Sequence, residues 1–128
     1  MRTPALALLL VAGCGGGSQD VAAPPATALV VEVRDGSARQ VDRLTLSCDP
    51  PGGSHRDPGP ACADLAQQQQ PFAELPPDAA CTQVYGGPQT ATVRGTYRGE
   101  PVTLDLSRTD GCRIAQWDRL GALLPASP

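Results

Sequence analysis

The chain has 128 residues, of which 41% are hydrophobic, 3% aromatic and 18% charged, with a net charge of −3. That length accommodates one domain, and an acidic balance without a basic stripe excludes a sequence-independent nucleic-acid binder. Fourteen glycines and fourteen prolines exclude a helical bundle or coiled coil and favour short elements joined by turns.

Met1-Arg2-Thr3 leads into an apolar run, Ala5 to Ala12, far short of the roughly 20 residues that span a bilayer. It reads as the core of an export signal. The run ends in Val11-Ala12-Gly13-Cys14, small residues before a cysteine that resemble a bacterial lipobox, whose Cys takes the lipid and becomes the mature N-terminus. Residues 1–13 are thus expected to be a lipoprotein-type signal peptide, with Cys14 as the lipidation site. Residues 14–27, rich in Gly, Ala and Pro, cannot bury much surface and read as a flexible tether. Residues 28–128 are left as the folded domain. The expected location is extracytoplasmic, secreted or lipid-anchored to the outer face of the cell membrane, with membrane contact only through a lipid on Cys14.

Ala28 to Arg34 alternates, with Leu29, Val31 and Val33 on one face, and Val41 to Cys48 alternates through Leu44, Leu46 and Cys48. Both predict strands. Asp49 to Pro60 is turn-rich. Ala61 to Gln70 has helical spacing at Cys62, Leu65 and Ala66, and Pro71, Pro76 and Pro77 stop any long helix. Thr90 to Tyr97 alternates again, Arg98-Gly99 can turn, and Val102, Leu104 and Leu106 mark the returning strand of a hairpin. Asp110 can cap a short helix on which Ile114, Trp117 and Leu120 share a face. The sum is an α+β domain of at least four antiparallel strands and two short helices.

Setting Cys14 aside leaves Cys48, Cys62, Cys81 and Cys112, an even number in an exported domain and therefore two disulfides. Four cysteines allow three pairings; joining neighbours needs the least chain crossing. Zinc is disfavoured because no close C-x-x-C pair exists. The single histidine, His55, follows Ser54 in a Pro/Gly loop, and no third group orients the pair as catalysis would need. Carboxylates are scattered, no phosphate-binding glycine loop is present, and no cofactor is expected. The sequence predicts no enzyme.

The segment Ala79-Ala80-Cys81-Thr82-Gln83-Val84-Tyr85-Gly86-Gly87-Pro88 runs from a disulfide cysteine to a proline, and carries Val84 and Tyr85 where a plain turn would carry small polar residues. With Leu29-Val30-Val31-Glu32-Val33, Leu44-Thr45-Leu46-Ser47-Cys48, Gly53-Ser54-His55, Ala61-Cys62-Ala63-Asp64-Leu65, Gly95-Thr96-Tyr97-Arg98-Gly99 and Gly111-Cys112, it resembles the Streptomyces subtilisin inhibitors from about Leu29 to Cys112. Each piece is short. Four cysteines in order, with Val-Tyr soon after Cys81, are specific together.

The resemblance implies bridges Cys48–Cys62 and Cys81–Cys112, a five-stranded antiparallel sheet with two helices, and a homodimer formed through the sheet face. It implies a serine protease inhibitor whose partner is a subtilisin-like enzyme. Ala80, Cys81, Thr82, Gln83, Val84 and Tyr85 would form the protease-binding loop, with Gln83 entering the S1 pocket and Gln83–Val84 as the scissile bond. Ala80 would face the S4 pocket and Tyr85 the leaving-group side. The alternative is a non-inhibitory cell-envelope lipoprotein using the same fold as a binding or structural module. Two features depart from the family pattern. Thr82 stands where members often carry a stiffening Pro, and Gly86-Gly87 makes the run to Pro88 one residue longer. Both predict a looser loop.

Overall fold

A computed structural model describes Gly13, residues 25–37 and residues 40–124. The signal-peptide and lipidation readings, and nearly all of the tether, lie outside these residues. Four strands and two helices follow in the order β1 (Thr27–Arg34), β2 (Val41–Cys48), α1 (Pro58–Gln67), β3 (Thr90–Tyr97), β4 (Glu100–Ser107) and α2 (Gly111–Arg119). The sheet is antiparallel throughout, with strand order β2-β1-β3-β4.

The period-2 pattern sets which face is buried. Leu29 lies opposite Leu46, Val31 opposite Leu44 and Val93, and Leu104 opposite Val93. Those side chains line the inner face with Ala91, Val102 and Leu106. The outer face carries Val30, Glu32, Arg43, Thr92, Arg94 and Asp105, with exposed ion pairs Arg43–Glu32 and Arg94–Asp105. The hairpin closes on Arg98 and Gly99 at φ 49° and 82°; two consecutive positive φ values are what a two-residue turn matched to strand twist requires. The Arg98 amide is tied to Thr27 Oγ1 at 3.1 Å. Thr27 is buried and pairs with Cys48, so β1 starts one residue ahead of the predicted strand.

Helix α1 begins at Pro58, three residues before its expected start. The prolines read as loop occupy its first turn, where a missing N–H breaks no helical bond. Ala61 and Leu65 are its buried positions, while Ala66 faces solvent. The Cys48–Cys62 bridge fastens this helix to the end of β2. Asp110 caps α2 as expected, accepting a hydrogen bond from the Arg113 amide at 2.9 Å.

The described residues contain four strands, not the five that the family resemblance implies. Where a fifth strand would follow α2, Leu120, Leu123 and Leu124 recur at helical rather than alternating spacing. They turn inward through Leu123 N–H and Leu124 N–H donating to Leu120 O, at 2.9 Å each. All three side chains are buried with Trp117 against the inner face. His55 pins this tail. Its Nδ1 accepts from the Asp57 amide at 3.0 Å, so Nε2 carries the proton and donates to Leu123 O at 3.0 Å. Ser54 Oγ instead accepts from the Thr45 amide at 2.9 Å. Ser54 and His55 are therefore structural, each facing a different element.

Candidate functional site

Between Pro76-Pro77 and β3 the chain has no element of its own. From Ala79 to Gly87 it runs without helix, strand, turn or bend. Ala80, Thr82, Gln83, Val84 and Tyr85 are exposed and Cys81 is half-buried. Val84 and Tyr85 are 58% and 65% exposed, against nearly complete burial of the core leucines. Val41, at 40%, is the other large apolar side chain exposed among the described residues; Val84 and Tyr85 stand side by side and further into water, as in a surface made for contact.

The β4–α2 connection, Arg108 to Cys112, supports this segment. Cys81 is bridged to Cys112. Thr82 O accepts from the Gly111 amide at 2.9 Å, and the Gly86 amide donates to Arg108 O at 2.7 Å. Arg108 Nε donates to Gly86 O at 3.2 Å. The two stretches thus run antiparallel, 81 opposite 112, 82 opposite 111 and 86 opposite 108. Between the anchors the exposed stretch has three residues, 83–85, and its support has two, 109 and 110. The surplus residue pushes Gln83, Val84 and Tyr85 outward. Among the described residues none of these three makes a backbone hydrogen bond.

This geometry revises the expected looseness. The carbonyl of Thr82 is held although no proline stiffens it. Gly86 is packed so closely that a Cβ there would lie 2.8 Å from Ile114 Cδ1 and 3.2 Å from Arg108 Cβ. Glycine at 86 therefore allows the close approach that makes the Arg108 hydrogen bonds possible. Pro88 ends the segment with its ring against Gly36 of the β1–β2 connection. In that connection the Ser37 hydroxyl and amide donate to the Asp35 carboxylate and hold its pKa below the ordinary value. Behind the loop is an open groove of about 520 Å³, lined by Pro76, Pro77, Thr82, Gln83, Asp110 and Arg113. The acyl side is consequently held by covalent and hydrogen-bonded ties rather than by core packing.

Among the described residues, Cys81, Asp110 and Cys112 are the one grouping with metal-ligand proximity. Both sulfurs are consumed by the bridge and the carboxylate caps α2. The set therefore serves to anchor the loop. No helix of the described residues is long and apolar enough to cross a membrane.

The comparison with known families decides what this scaffold is. Residues 24–108 match the family model described as subtilisin inhibitor-like. The chain belongs to the subtilisin inhibitor-like family. Its members are protease inhibitors, not enzymes, and are typically secreted. Subtilisin inhibitor-like protein 5 of Streptomyces fradiae is 33% identical over 94 residues, covering 68% of this chain and 87% of that protein. Protease inhibitor SIL-V2 of Streptomyces orinoci is 38% identical over 85 residues, covering 62% and 77%. Among solved structures, Streptomyces caespitosus sermetstatin, crystallised with Bacillus licheniformis subtilisin, aligns with a TM-score of 0.47 and 26% identity over 74% of this chain and 92% of that one. The family match ends at Arg108, so α2 and the buried Leu120–Leu124 tail lie beyond it.

Sequence reasoning brought the six residues 80–85 together and paired the cysteines through the resemblance. It missed Arg108 and Gly111, which position the loop. A signal was present for Gly111 alone. Stepping inward along both chains from the Cys81–Cys112 pair sets Thr82 opposite Gly111 but Tyr85 opposite Arg108; the one-residue surplus that shifts Arg108 to Gly86 has no mark in the sequence.

Proposed function

We propose that the domain inhibits subtilisin-like serine proteases by offering residues 80–85 as a substrate held ready for the cleft. Gln83 enters the S1 pocket, Ala80 faces S4, Tyr85 lies on the leaving-group side, and Gln83–Val84 is the bond presented to the nucleophile. The observation that carries this reading is the antiparallel anchoring of 81–86 on 108–112, which leaves Gln83 to Tyr85 exposed with their backbone groups unpaired. Family membership supports it, as do relatives that bear the names of subtilisin and protease inhibitors.

A segment already fixed in its bound shape loses little entropy on docking. Affinity follows from that preorganisation over an interface of roughly 1,600 Å². Attack by the protease serine forms an ester at the Gln83 carbonyl as the Gln83–Val84 bond breaks, and Val84 N takes a proton. Because Val84 remains tied to the body through Gly86, its amine stays near the ester. Attack in reverse re-forms the peptide bond and returns the proton to the serine. The inhibitor supplies no catalytic group.

Titrating residues 14–128 into a fixed amount of subtilisin tests the proposal. The expected result is loss of activity that is linear with inhibitor and complete near one domain per enzyme. Absence of inhibition, or rapid digestion of the domain, would favour the envelope-module alternative.

The exported setting belongs to the same reading, since two disulfides fit an oxidising compartment. Lipid on Cys14 would place the inhibitor on the outer membrane face. Cys14→Ser should then move the protein from the membrane fraction to the medium; unchanged membrane retention would count against lipidation. A homodimer through the outer sheet face is the remaining element, and sedimentation velocity distinguishes one chain from two.

A further inference from the structure

We propose that Arg108 is a positioning residue for the leaving-group half of the loop, and that its grip on Gly86 controls how long an inhibited complex lasts. The proposal rests on the inhibitory reading above for its consequence, but not for its geometry. One residue holds the Gly86 backbone on both sides: Arg108 O accepts the Gly86 amide at 2.7 Å, and Arg108 Nε donates to Gly86 O at 3.2 Å. The guanidinium cannot swing away freely. It lies over the Trp117 ring with Cζ 5.6 Å from the centroid, and Nη1 is 3.6 Å from Asp118 Oδ1. The Arg108 side chain is only 18% exposed although this is a loop position. Helix α2 therefore fixes the cation, and the cation fixes the loop.

The position of the grip matters for the chemistry. Gly86 is two residues from Val84, and two residues span at most about 7 Å. An amine released at Val84 therefore stays within that radius of a fixed point and can return to the Gln83 ester. The Cys81–Cys112 bridge restrains the other fragment. Each side of the scissile bond then has its own anchor, and Arg108 supplies the side that lacks a covalent tie. It also counters the freedom of two adjacent glycines. Lysine cannot replace it, because a single ammonium lacks the planar fork that stacks on an indole while donating sideways.

The test compares wild type with Arg108→Lys, which keeps the charge. Backbone ¹⁵N relaxation on the free domain is expected to show raised mobility at Tyr85, Gly86 and Gly87, with amide shifts of β1 to β4 unchanged. The subtilisin complex should shorten in lifetime by roughly tenfold, the effect of one charge-assisted hydrogen bond, and domain cut at Gln83–Val84 should accumulate. If Arg108→Lys does not fold, Asp118→Asn retains Arg108 but removes one of its restraints, and should move the same readouts in the same direction. Wild-type mobility at 85–87 in the folded variant overturns the proposal, as does a wild-type complex lifetime. Failure of the wild type itself to inhibit subtilisin counts against the inhibitory reading; the relaxation of the free domain still decides whether Arg108 holds the loop.

Discussion

Gln83→Lys is expected to convert the domain into an inhibitor of trypsin. Trypsin's S1 pocket ends in a carboxylate. Neutral Gln83 leaves that charge buried and unpaired on docking, whereas lysine pairs with it. A buried, hydrogen-bonded charge pair across an interface couples by several kcal/mol, so affinity for trypsin should rise by about a thousandfold or more. The fold should not register the change. Gln83 is exposed, and its side chain makes no hydrogen bond to the described residues. Inhibition of subtilisin should persist, because a broad, shallow S1 site tolerates either side chain. The measurement is a trypsin inhibition constant alongside a thermal melt. A folded Gln83→Lys variant that leaves trypsin untouched would refute the assignment of residue 83.

The second large effect concerns the two bridges, which should separate stability from function. In the chain-entropy model, closing the 14-residue separation of Cys48–Cys62 stabilises by roughly 3 kcal/mol, and the 31-residue separation of Cys81–Cys112 by nearly 4. Replacing either pair by alanine should therefore lower the melting temperature by comparable amounts. Inhibition should respond differently. Without Cys48–Cys62 the anchors on Arg108, Gly111 and Cys112 remain, so a domain that is still folded should inhibit as before. Without Cys81–Cys112 the acyl side keeps the Thr82–Gly111 hydrogen bond and the contact of the Thr82 side chain with Gly111, with an open groove behind them. Each residue freed costs about 1–2 kcal/mol to order again, so inhibition should weaken by roughly a hundredfold or more. The loop should then be cut as a substrate. Equal loss of inhibition from both pairs would mean that the 81–112 bridge serves stability alone.

The parts legible in the sequence are those whose physics is local. Alternation at Leu29, Val31 and Val33 and at Val102, Leu104 and Leu106 requires strands with one buried face. Asp110 ahead of a helical stripe requires a cap. The start of α1 was less legible because Pro58 and Pro60 have the same composition in a loop and in a first helical turn. The last described residues form a turn rather than the fifth strand that the resemblance implies, because Leu120, Leu123 and Leu124 have a spacing that suits a turn packed into the core. In the site, the residues around Val84 and Tyr85 suit a buried crossover as well as an exposed loop, and only the family resemblance pointed to the exposure that the structure shows. The support was not legible, because the backbone bonds Gly86 N–H to Arg108 O and Gly111 N–H to Thr82 O join groups 22 and 29 positions apart that carry no residue signature, and the Arg108 side chain that reaches Gly86 O reads in sequence as an ordinary surface cation. The cysteine pair was the one visible marker of that register.

The inhibitory reading makes residues 80–85 a bait held in place on both sides of one bond. Its most direct test incubates residues 14–128 with a catalytic trace of subtilisin until no further change occurs, then reads masses before and after reduction. The predicted outcome is a stable mixture of intact domain and a form cut once at Gln83–Val84. The two fragments of the cut form should stay joined through Cys81–Cys112 until reduced, and purified cut form returned to subtilisin should regain the same mixture. Degradation to completion, or a first cut at any bond outside 80–85, would contradict it.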